Sequence, residues 1–180
     1  MFMKDLFEPV ELRRLFGRLD ERLMNPLSIY VIGGANLIAF GISQRHTQDV
    51  DVISPQKLST DVIEHIENIA REESLESDWI NTMPSRDEPF LALGWKERSV
   101  SFFSGSKLQV YLLGRKDMVG LKLAAALDRQ NPDMDDLLVM RPTDEEWEFG
   151  RLWARNYDAN ADWPELIDTL VLNLKEKKNG

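Results

Sequence analysis

Asp49 and Asp51 stand two residues apart in the alternating stretch Asp49-Val50-Asp51-Val52-Ile53. Residues i and i+2 of a strand share a face, so this spacing sets both carboxylates on one side and turns Val50 and Val52 toward a core. Two carboxylates side by side repel each other unless a cation lies between them. Hard oxygen ligands suit Mg²⁺ or Mn²⁺. Upstream, the apolar run Ser28-Ile29-Tyr30-Val31-Ile32 ends in Gly33-Gly34. Two glycines after a strand permit a tight turn and let backbone N–H groups approach an anion closely. A helix starting at Ala35 would add its positive end to the same place. A phosphate cradle facing a metal-binding carboxylate pair suits phosphoryl or nucleotidyl transfer, where the metal clamps the reacting oxygens. Taken singly, a Gly-Gly pair is a turn and an Asp-x-Asp step is a solvated strand edge or a helix cap. Their order, with one short helix between them, favours the functional arrangement.

The elements that must position these residues follow from periodicity. Leu6, Phe7, Val10, Leu12, Leu15, Phe16, Leu19 and Leu23 recur at helical spacing and predict a helix over 5–24, stopped by Asn25-Pro26. Strands are expected at 28–32 and 49–53, with a short helix at 36–40 ended by Gly41. Val62, Ile63, Ile66, Ile69 and Ala70 mark a helix over 58–74. Segments 90–94 and 99–103 read as strands joined in a hairpin across Lys96-Glu97-Arg98, and 107–113 as a later strand. Helices are then expected at 116–128 and 134–140. Thr143 with Glu146 forms a capping box for a helix to about Tyr157, and Trp163-Pro164 opens a last helix. Trp147, Trp153 and Trp163 are expected to pack that helical tail. The expected class is α/β (α+β): a mixed sheet flanked by helices over residues 1–141, with a C-terminal helical extension over 142–180.

Two blocks of this sequence carry a resemblance. Gly33-Gly34-Ala35-Asn36-Leu37-Ile38-Ala39-Phe40-Gly41, followed by Arg45-His46-Thr47-Gln48-Asp49-Val50-Asp51-Val52, resembles the signature of the nucleotidyltransferase-fold superfamily. Leu108 to Leu113, Met118-Val119-Gly120-Leu121-Lys122, Arg129 and Asp135-Asp136-Leu137 resemble a strand, a lysine helix and an Asp-Asp-Leu pattern of one small bacterial branch. That branch includes the toxin partner of abortive-infection systems. Trp79-Ile80-Asn81 is similar to a tryptophan-leucine-asparagine step between the two blocks. The resemblance spans about residues 27–141. It implies that Gly33 and Gly34 bind nucleotide phosphates with Arg45 and Thr47 beside them, and that Asp49 and Asp51 hold Mg²⁺ or Mn²⁺. It further implies that Lys122 reaches toward phosphate or the carboxylate pair, with Arg129 and Asp135 in support. From the residues alone, Lys122 equally fits a lysine snorkelling from a buried helix.

The sequence also departs from the pattern. Gly34 stands where many active members have serine, and the outward positions of 107–113, Gln109 and Tyr111, offer no third carboxylate. Two functions therefore stay open. One is metal-dependent transfer of a nucleotidyl group from an NTP to a hydroxyl of a protein, a small molecule or RNA. The other is a catalytically degenerate member that binds nucleotide or pairs with an antitoxin-type protein. With 31 acidic against 22 basic residues the net charge is −9, which argues against a general nucleic-acid binder, since such binding rests on phosphate neutralisation. Cysteine is absent, so disulfides, thiolate zinc sites and cysteine nucleophiles are excluded together. The early acidic residues and the short apolar runs predict a cytoplasmic protein without a membrane partner.

Overall fold

The computed structural model describes residues 7–43, 47–129 and 132–179. The chain divides into two compact units, one formed by 1–89 with 96–113 and the other by 90–95 with 114–180. The boundary expected at 141/142 falls inside the second unit.

In the first unit, helix α1 (Pro9–Arg22) leads into strand β1 (Leu27–Ile32), helix α2 (Gly33–Ala39) and strand β2 (Val50–Ser54). Helix α3 (Thr60–Glu73), strand β3 (Ile80–Asn81), a 3₁₀ segment (Met83–Phe90) and helix α4 (Trp95–Arg98) follow, with Phe90 and Trp95 of the last two counted in the second unit. Strands β4 (Val100–Ser104) and β5 (Leu108–Leu112) complete a sheet of order β3-β2-β1-β5-β4. The sheet is mixed, as expected. β1 runs antiparallel to β2 and parallel to β5, β2 runs parallel to β3, and β4 runs antiparallel to β5.

Alternation decides the two faces. Ile29, Val31, Val50, Val52, Leu108, Val110 and Leu112 join Leu12, Phe16 and Leu19 of α1 and Ile66 and Ile69 of α3 in one core. Phe16 sits at its centre, edge-on to Phe102 at 6.3 Å and tilted against Trp79 at 6.4 Å. On the other face Tyr30 stacks on Tyr111 at 4.9 Å. Charge fastens the helices as well. Arg14 and Arg18 of α1 pair with Glu73 of α3, and Arg22 pairs with Glu72.

Segment 90–94 is not a strand, and the hairpin expected across Lys96-Glu97-Arg98 does not form. Pro84 and Pro89 each lack an N–H for a ladder, and 83–90 folds as a 3₁₀ segment, while 95–98 is a turn of helix. The hairpin is β4–β5 instead. Its turn amides, Ser106, Lys107 and Leu108, all donate to the carboxylate of Asp20 at 2.6–2.9 Å.

The second unit is helical: α5 (Arg115–Arg129), α6 (Asp133–Met140), α7 (Asp144–Ala154) and α8 (Trp163–Asn179). The capping box at Thr143 and Glu146 is present. Helices α5 and α7 approach at two glycines, where a Cβ on Gly150 would meet the backbone N of Gly120 at 2.9 Å. Trp147 and Trp163 are buried and Trp153 is half-buried. No helix among the described residues is long and apolar enough to cross a membrane.

Candidate functional site

The β1–β2 register sets Ile32 opposite Asp51, so the chain leaving β1 must turn directly beside that carboxylate. It does so at Gly33, whose φ is +70°, a region that residues with a Cβ rarely enter. A Cβ added there would lie 2.7 Å from Asp51 Oδ2. Glycine is thus required twice, for its backbone angle and for the space that Asp51 takes. Helix α2 begins at Gly33 rather than at Ala35, with no side chain capping its start. Gly33 and Gly34 are both half-buried.

Behind the turn, Asn36 is completely buried, and its Nδ2 donates to the carbonyl of Val31 at 2.8 Å and to that of Leu113 at 3.2 Å. One amide therefore ties α2 to the ends of β1 and β5. The sequence reading gave Asn36 no task. Its signal was a polar residue among Ala35, Leu37 and Ile38; its Nδ2 donors are satisfied there, while its Oδ1 is buried without a hydrogen-bond partner.

Asp49 is exposed just ahead of β2, Val50 is buried and Asp51 is half-buried. This alternation places Asp51 on the side opposite the core, as the spacing predicts, while Asp49 is exposed in the segment just before the strand. Thr47 Oγ1 donates to Asp49 Oδ1 at 2.9 Å, so Thr47 touches the first carboxylate. Asn81 Nδ2 donates to Asp51 Oδ1 at 3.1 Å. Asn81 was noted in the sequence only as the end of a Trp-Ile-Asn step. Its place follows from topology: β3 pairs with β2, and Asp51 stands opposite Asn81. The strand read as the natural site of a third group, 107–113, pairs with β1 on the far side. There Gln109 donates to the Gly105 carbonyl and Tyr111 stacks on Tyr30. Burial first, then Tyr111, Glu97 and Glu88, raise Tyr30 above the usual tyrosine range.

Lys122 belongs to α5 in the second unit and is buried. Its Nζ donates to Asp133 Oδ1 and Asp136 Oδ2, each at 2.7 Å, and both acids are buried too. Asp135, paired with Arg129 in the sequence reading, is exposed; the acids turned inward are its neighbours three apart on α6. Arg45 and the side chain of Arg129 lie outside the described residues.

The structure thus brings Gly33, Asp51 and Asn81 together, and it joins Thr47 to Asp49 two residues before Asp51. Among the described residues no group of three or more His, Asp or Glu stands ready to hold a metal ion. Two carboxylates alone fit Mg²⁺ in its commonest enzymatic setting, where substrate phosphates and water complete the coordination.

A family model described as "Nucleotidyltransferase of unknown function (DUF6036)" matches residues 9–163. No curated protein and no solved structure matches the chain.

Proposed function

The chain belongs to this nucleotidyltransferase family, and on that premise we propose that it transfers a nucleotidyl group from an NTP to a hydroxyl acceptor at the Gly33–Asp51 turn. The observation that supports this most directly is the space at Gly33, where a Cβ would meet Asp51 Oδ2 at 2.7 Å. A phosphate lying along that turn would also lie beside the carboxylate, an arrangement that calls for a cation.

Asp49 and Asp51 are the residues that would hold Mg²⁺ or Mn²⁺. Bound there, the ion supplies charge neutralisation to the phosphates and to the oxygens around the reacting phosphorus. Gly33 and Gly34 would bind phosphate through backbone N–H groups, unobstructed by side chains. Thr47 holds Asp49 from one side, and Asn81 holds Asp51 from the other. In the transfer, the acceptor oxygen bonds to the α-phosphorus as the bond to the bridging oxygen breaks. Pyrophosphate leaves with that electron pair, and the hydroxyl proton passes to water. The net charge of −9 favours a protein or small-molecule acceptor over RNA.

Purified protein incubated with NTPs labelled at the α-phosphate, Mg²⁺ or Mn²⁺ and cell extract tests this. Label should pass to an acceptor with the wild type and not with D49N/D51N. Failure of the wild type to transfer label from any of the four NTPs would overturn the reading.

A further inference from the structure

Asp51 is held by a group whose own orientation is fixed. The Asn81 amide makes two hydrogen bonds of opposite sense. Nδ2 donates to Asp51 Oδ1 at 3.1 Å, and Oδ1 accepts from the backbone N–H of Met83 at 3.2 Å. Flipping the amide would set two acceptors face to face at Asp51 and two donors face to face at Met83, so its nitrogen end must point at the carboxylate. The strand that carries Asn81 is itself well anchored. Val50 N donates to the Trp79 carbonyl at 2.6 Å, and the fully buried Trp79 donates from Nε1 to the Ile66 carbonyl of α3 at 3.1 Å.

Of Asp51's two oxygens, Oδ1 thus carries a fixed donor, while Oδ2 faces the Gly33 turn. A carboxylate at position 81 would keep the Met83 bond but set a third negative charge against Asp51. The amide adds a donor and no charge.

We propose that Asn81 is a positioning residue of this site, turning Asp51 Oδ2 toward the glycine turn and limiting the protein's charge there to two carboxylates, so that a divalent cation is held jointly with nucleotide phosphates. This rests on the nucleotidyltransferase reading of the Gly33–Asp51 turn. Outer groups of this kind typically change metal affinity by about 10- to 100-fold when replaced.

The test measures Mn²⁺ binding by electron paramagnetic resonance, with and without a non-hydrolysable ATP analogue, for wild type, N81D, N81A and D51N. Wild type should bind Mn²⁺ weakly alone and much more tightly with the analogue. N81D should bind Mn²⁺ alone at least about tenfold tighter and depend less on the analogue. N81A should melt like wild type without ligand and bind Mn²⁺ with the analogue about tenfold more weakly. If N81D fails to fold, N81A still decides. Wild-type Mn²⁺ behaviour in N81A, or in a folded N81D, overturns the role of Asn81 alone, provided D51N has lost binding. No Mn²⁺ binding by the wild type, or undiminished binding by D51N, overturns the metal reading of the turn and this inference with it.

Discussion

The carboxylate of Asp51 occupies the space that a side chain at Gly33 would need: Oδ2 lies 2.7 Å from where the Cβ would be. Gly33→Ala should therefore destabilise the protein through two separable effects. The left-handed backbone costs an L-residue about 1 kcal/mol or more, and displacement of Asp51 adds to it. In an Asp51→Ala background the second effect vanishes and the first remains. Urea unfolding of the four proteins in this cycle should show the double variant less destabilised than the sum of the two single variants. Additive costs would mean that Asp51 does not fill this space.

Asp20 gives a prediction in pH. Burial pushes its carboxyl up, but bonds from the Leu108, Lys107 and Ser106 amides and the Ser106 hydroxyl outweigh this and hold it at about 2, against an ordinary 3.8. A depressed folded-state pKa contributes stability in full above the unfolded value and loses it as pH falls through the folded one. Asp20→Asn should cost about 1 kcal/mol at pH 7 after allowance for solvent screening. That difference should shrink as pH falls from about 4 to about 2. A gap between the two proteins that stays constant over that range would show that the charge contributes nothing.

Much of this arrangement was legible in the sequence, because short-range geometry dictates it. Asp51 faces away from the core since strand residues alternate, and Thr143 with Glu146 announces its capping box at fixed spacing. Asn81 was not legible as a neighbour of Asp51, since that depends on which edge of the sheet a two-residue strand joins, and no local pattern encodes strand order. The same gap led to position 107–113 being searched for a third group. Segment 90–94 misled for another reason. Its apolar residues suggested a strand, but the 3₁₀ segment before it ends at Phe90, and the chain turns through Gly94, whose φ is +78°, into the helical turn at 95–98.

Lys122 separates a structural from a chemical role. Its ammonium is enclosed with Asp133 and Asp136, and removing one partner of a buried ionic cluster leaves uncompensated charge. Lys122→Met should then destabilise by roughly 3–5 kcal/mol, and K122M/D133N/D136N should recover most of the loss. The catalytic role implied by the sequence resemblance predicts the reverse: K122M would unfold like the wild type but lose its response to nucleotide. Urea midpoints, with and without a non-hydrolysable ATP analogue, distinguish the two.

The last prediction concerns Asp49 and Asp51 together. Replacing both with Asn keeps their size and the acceptors they offer, so Thr47 can still donate to position 49 and Asn81 to position 51. What disappears is negative charge beside the glycine turn. Without metal, D49N/D51N should melt at or slightly above the wild-type temperature, because like charges no longer repel there. With Mg²⁺ or Mn²⁺ and a non-hydrolysable NTP analogue at about ten times the dissociation constant, mass action stabilises the wild type by about 1.4 kcal/mol. For a chain of this length that raises the melting temperature by roughly 3–6 °C. The double variant should show none of this rise. If it unfolds instead, the carboxylates are structural, needed as charges by Thr47 and Asn81. If it melts normally and still gains the full rise, the cation and nucleotide bind elsewhere, and the Gly33–Asp51 turn is not the site.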